Sequence, residues 1–164
     1  MASDSLPDCG LYRTGVSLVN HEEQVPAGCL VSFHNHSDRG IPMVQTPHNN
    51  ENNRWTFHDR GFGIEDPGFL GVLIPLKPEG LYVVTEHHLH ISEEETISER
   101  TLVQLGYNRS GDSILFVANQ KGNTIVFPTK GFRFESPDFQ TTLKPVAFSV
   151  SKSTSNPSTN HTLH

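Results

Sequence analysis

Apolar residues along this chain come in short runs, each bounded by Gly, Pro, Asn or a polar cluster, which is the pattern of short β-strands joined by turns. In the first half the pattern predicts a strand over 10–14, then a long loop over 15–28 carrying Glu22 and Glu23. A strand over 29–34 and a polar turn over 36–40 follow. The strand predicted over 41–46 has Pro42 near its start, which suits an edge position. Residues 47–53 read as a polar loop, and 55–58 as a strand with Trp55 and Phe57 on one face. Arg60-Gly61-Phe62 reads as a tight turn in which Gly61 takes positive φ. Ile64 starts a last short strand, and 67–73 opens with Pro67 as one helical turn.

The second half predicts the same order. A strand over 81–84 runs into His87-His88-Leu89-His90, and Glu93, Glu94 and Glu95 lie in the long loop. Strands follow over 102–107, 114–118 and 124–127, with turns at 110–112 and 120–123. Residues 150–164 are rich in Ser, Thr and Asn without apolar periodicity and read as a disordered tail.

The likeness of the halves extends to residue identity. Asn53, Phe57, Gly61, Phe62, Glu65, Pro67, Phe69, Leu73 and Pro75 recur, without a gap, as Asn123, Phe127, Gly131, Phe132, Glu135, Pro137, Phe139, Leu143 and Pro145. Chance would give roughly one or two such identities over this window. Upstream, Gly10-Leu11-Tyr12 recurs as Gly80-Leu81-Tyr82. Glu22-Glu23 before Val25 recurs as Glu94-Glu95 before Ile97. The chain therefore reads as two tandem copies of one unit, 10–79 and 80–149, packed together because a unit of about 70 residues has a marginal core alone.

The order of a first strand, a long acidic loop, three hairpin-joined strands and a short last strand resembles the SH3-like small β-barrel. The opening Gly-Leu-Tyr, the paired acids and the closing Gly-Phe-x-(Ile/Phe)-x-x-Pro-x-Phe carry the resemblance. It implies an all-β fold of two SH3-like barrels related by a pseudo-two-fold axis. Peptide-binding SH3 domains have adjacent tryptophans and a closing Tyr. Here Trp55 stands alone, Ile125 takes its place in the second copy, and Phe69 and Phe139 replace the Tyr. The resemblance thus implies architecture and not recognition of Pro-rich peptides.

Composition narrows the function classes. Net charge is −6, which disfavours a general phosphate-binding surface. No apolar run is long enough for a membrane-spanning helix, and residues 1–8 lack the features of a signal peptide. Cys9 and Cys29 make neither a disulfide framework nor a zinc spacing, and the expectation is a cytoplasmic protein with two ordinary thiols.

Candidate chemistry gathers in two places. Gly28, five residues and then His34-Asn35-His36 resembles the opening of the cupin metal motif, although no Glu follows in 37–40. On a strand His34 and His36 share a face, as do His88 and His90, with His87 facing away. One divalent transition metal held by His34, His36, His88 and His90 is the resulting enzyme hypothesis, set against half-exposed histidines with no cofactor. Arg54, Trp55, His58 and Arg60 form an aromatic and basic set that the second copy lacks, and they are the expected ligand-binding residues. Glu65 and Glu135 recur and are expected to hold a corner by accepting backbone N–H groups, with paired acid–base catalysis as the alternative. Asn53 and Asn123 read as hairpin-turn residues. The expected role is a non-enzymatic binding or assembly module for a protein or peptide, or for a second copy as a homodimer. The alternatives are a cupin-like metal enzyme and an RNA-binding tandem barrel that stacks bases on Trp55.

Overall fold

The computed structural model describes residues 5–85 and 88–149. In the first half the strands are β1 (Gly10–Arg13), β2 (Leu30–His34), β3 (Met43–Gln45), β4 (Pro47–Glu51), β5 (Arg54–Phe57) and β6 (Phe62–Gly63). A short helix, α1 (Pro67–Gly71), then leads to β7 (Ile74–Pro75). The second half has β8 (Gly80–Val84), a hairpin of β9 (His88–His90) with β10 (Thr96–Ser98), β11 (Leu102–Tyr107) and β12 (Ser113–Val117). It continues with β13 (Asn119–Lys121), β14 (Thr124–Val126), β15 (Phe132–Phe134), a 3-10 helix (Pro137–Thr142) and β16 (Leu143–Pro145). The protein is all-β, and the two helices among the described residues are short segments at matching places.

Each half builds one five-stranded antiparallel sheet, and the two strand orders correspond. They run β6-β3-β2-β1-β7 and β15-β12-β11-β8-β16. The registers correspond too. Tyr12 lies opposite Val31 and Pro75, and Tyr82 opposite Val103 and Pro145. Val44 faces Phe62, as Leu115 faces Phe132. Even the phenols repeat: Tyr12 donates to the Asp8 carbonyl and Tyr82 to the Pro78 carbonyl. Period-two alternation explains the cores. Tyr12, Val31, Phe33 and Val44 point inward with Phe69 in the first half, and Tyr82, Val84, Val103, Leu105 and Leu115 do so in the second. Val25 and Ile97, which follow the acidic pairs, plug the loop side of each core and are 0 % and 4 % exposed.

The structure corrects several expectations. The sheets are not closed into barrels: β6 and β7, like β15 and β16, pair on one side only. Strand β3 lies between β2 and β6 rather than at an edge, and Pro42 sits just before it, accepting a hydrogen bond from Ile64 N through its carbonyl. Residues 47–51 are a strand and not a loop, pairing with β5. The last strand is Ile74–Pro75, after α1, and not the segment at Ile64. Gly61 has no positive φ. Its reason is space: a Cβ there would lie 1.9 Å from Met43 Cε, and one on Gly131 would lie 2.6 Å from the Leu115 carbonyl oxygen. Neither Glu65 nor Glu135 holds its corner through its side chain; Asp66 and Ser136 cap the helical turns by accepting from Gly68 N and Asp138 N. The segment 150–164 and His87 lie outside the described residues.

The two halves share a seam. Leu30 and Leu76 of the first half are buried in the core of the second, with Leu11, Trp55 and Phe57 packed against it. Arg13 donates to the Glu135 carbonyl at 2.6 Å and reaches Asp112 at 3.4 Å. Asp112 is buried and also takes Arg133 at 2.7 Å and Asn108 at 3.1 Å. Burial pushes its carboxyl up, but the Asn108 amide and the two guanidinium groups outweigh it and hold it below the ordinary range. The connecting residues are tied down as well. Tyr107 donates to the Lys77 carbonyl, and Gln140 accepts from Lys77 N and donates to the Tyr107 hydroxyl.

Candidate functional site at the seam between the halves

The site is built by the hairpin β4–β5. Its turn residues, Asn52 and Asn53, have φ of 53° and 63°, the paired positive values that a tight two-residue turn needs and that Asn tolerates best after Gly. The turn lies against β11. Asn53 Nδ2 donates to Gln104 Oε1 at 3.0 Å, and a Cβ on Gly106 would lie 3.3 Å from Asn53 Cβ.

Trp55 is fixed from three sides. Its indole N–H donates to the Tyr107 carbonyl at 2.7 Å, its backbone N–H donates to Glu79 Oε2 at 3.0 Å, and Arg109 stands 4.9 Å above its ring. Burial raises the Glu79 carboxyl to about 7, against the opposing pull of the Trp55 N–H and Arg54. Arg109 also donates to the carbonyls of Pro47 at 3.0 Å and His48 at 3.4 Å, so one second-half cation holds the first-half hairpin. His48 and His58 face each other across the hairpin, with ring centroids 4.4 Å apart.

Beside this contact a cleft of about 600 Å³ opens along the seam. Cys29, His58, Arg60 and Phe62 line it from the first half, and Arg109 and Ser110 from the second. Among the described residues Arg60 has no hydrogen bond or ion pair, and its side chain is exposed. The Cys29 thiol donates to the Leu30 carbonyl at 3.3 Å, and burial pushes it up from its ordinary value, with Arg109 opposing. An activated thiolate requires the opposite shift.

The structure thus divides the expected ligand residues. His58 and Arg60 meet in the cleft. Trp55 turns into the seam, and Arg54 is exposed on β5 near Glu79. The histidines proposed as metal ligands are spread out. His34 bonds Gln45 Oε1 at 2.9 Å, and His36 bonds Asn35 Oδ1 at 2.8 Å. His88 and His90 are exposed on β9, either side of buried Leu89. Among the described residues no three His, Cys, Asp or Glu side chains gather as a metal would need. No helix among the described residues is long and apolar enough to cross a membrane.

Sequence reasoning missed Arg109, Glu79 and Cys29 as site residues. Each departs from the repeat. Glu79 and Cys9 hold the same place before Gly-Leu-Tyr, Arg109 follows the Asn108 that matches Asn35, and Cys29 stands before Leu30-Val31 where Thr101 stands before Leu102-Val103.

Comparison with protein-family models, with curated proteins and with solved structures finds no match to this chain.

Proposed function

We propose that this protein is a non-enzymatic binding or assembly module of two tandem SH3-like units, 10–79 and 80–149, joined into one body with its binding surface at the seam. The pairing of each first strand with the last, the long loop after the first strand and the helical turn before the last support the SH3-like reading. The observation that carries the binding role is the seam cleft itself. Its walls come from both halves, its volume is that of a small-ligand or peptide pocket, and Arg109 couples it to the docked hairpin. Binding rather than catalysis fits the chemistry there: two arginines and a histidine beside a protonated thiol make an adhesive surface.

Affinity capture tests the proposal. The immobilised full chain, treated with EDTA, is exposed to lysate of its own source. A partner held by the wild type and by Lys121→Glu on exposed β13, and lost from Arg60→Glu, supports the reading. No enriched partner, or one indifferent to Arg60, sinks it.

A further inference from the structure

The seam cleft has walls of two kinds. Pro47 is buried and Cys29 and Phe62 are half-buried, forming apolar surface. His58, Arg60 and Arg109 are exposed along the same cleft. Glu23 is the one acid among the described residues that lines it, so two arginines and one acid line this cleft in a chain whose net charge is −6. The neighbouring cleft, which Arg60 also lines, is different. There Asp38 and Asp59 balance Arg39 and Arg60. Arg60 has all its donors unused among the described residues, and Arg109 has spent part of its fork on the Pro47 and His48 carbonyls.

We infer that the cleft takes an acidic peptide segment of a partner protein, with an apolar side chain against Phe62 and Pro47 and a neighbouring carboxylate at Arg60 and Arg109. The inference rests on the binding-module reading above and names its ligand. A guanidinium fork matches a carboxylate in two parallel hydrogen bonds. An exposed ion pair is weak alone, so the apolar wall must share the binding. Nucleic acid fits less well, because two arginines neutralise too few phosphates to hold a strand. The cleft, at about 600 Å³, admits a few side chains and not a folded domain.

The test is an amide-shift titration of the 15N-labelled full chain with acetyl-Leu-Glu-Leu-Glu-amide and with acetyl-Leu-Gln-Leu-Gln-amide. The expected result is saturable movement at Cys29, Thr46, His58, Arg60 and Ser110 with the acidic peptide. Affinity should fall about fivefold or more for the Gln peptide and for Arg60→Gln, an exposed and unpartnered site whose variant keeps the wild-type spectrum elsewhere. Absence of saturation, movement confined to other surfaces, or equal binding of both peptides overturns the inference. So does inorganic phosphate moving these amides as strongly as the peptide. Capture from lysate that depends on Arg60, without binding of the acidic peptide, leaves the module reading standing and removes this ligand alone.

Discussion

The two hairpins β4–β5 and β13–β14 hold the same place in the repeat but differ in what covers them. The first is docked across the seam through Trp55, Asn53 and Arg109. The second carries Ile125 at the position of Trp55, and that side chain is 58 % exposed. The receiving strands differ in a matching way. On β11, Gly106 lies opposite Ile114 and leaves room for the Asn53 turn. At the corresponding register on β2, opposite Met43, stands His34, whose ring reaches over to Gln45. His34 carries a side chain at the register where Gly106 carries none. Repeated residues therefore build two like sheets, and a few unrepeated ones decide which hairpin is used to join them.

The largest expected effect is at that contact. Trp55→Ala removes a part-buried hydrogen bond, an Arg contact and packing on the second core, and should cost about 3 kcal/mol in urea unfolding. A loss under about 1 kcal/mol would mean that the hairpin contributes little to joining the halves.

The two motif glycines sharpen the comparison from inside the sheets. An added Cβ at Gly131 lies 2.6 Å from backbone, the Leu115 carbonyl oxygen, whereas at Gly61 the closest atom is the flexible tip of Met43 and the backbone, at the Val44 carbonyl oxygen, is 3.1 Å away. Gly131→Ala should therefore cost about 2 kcal/mol and Gly61→Ala about half that. The reverse order in thermal or urea unfolding would show that Met43 cannot move aside.

Glu79 makes the seam sensitive to pH. Its carboxyl titrates near 7 in the folded chain, against an ordinary 4.5. Between those values the folded state holds a proton that the unfolded state has released. Raising pH through the window therefore lowers stability; the contribution is full below pH 4.5 and lost above about 7. Glu79→Gln removes this slope. The stability of the wild type minus that of the variant should fall across the window and level off beyond it, and a flat or rising difference would refute the assignment.

The smallest effect should be Ile125→Ala, within about 0.5 kcal/mol because the side chain is exposed. A cost near that of Trp55→Ala would show that the second hairpin is also covered in solution.

Much of the fold was legible in the sequence for local reasons. Period-two alternation, the Asn53 and Asn123 turns and the recurring Gly-Leu-Tyr each act within a few residues. Pro47–Glu51 was not legible, because His, Asn and Glu have low strand propensity and only pairing with β5 makes them extended. Gly61 was noticed for the wrong reason, since positive φ is a local expectation and the true constraint, the approach of β3, is not. Of the expected ligand residues, His58 and Arg60, singled out by type and clustering, line the seam cleft. Trp55 was singled out with them, but which way its ring faces depends on where the second half lies.

The sequence by itself determined a duplicated β unit, its turns and its alternating core, because these follow from backbone geometry and from contacts within one hairpin or one repeat. The tertiary structure alone decided the seam. Arg13 meets Asp112 and Trp55 meets Tyr107 across long chain separations. Such partners are chosen by how two finished sheets fit together, and that fit is a matter of shape and desolvation that no local pattern of residues encodes.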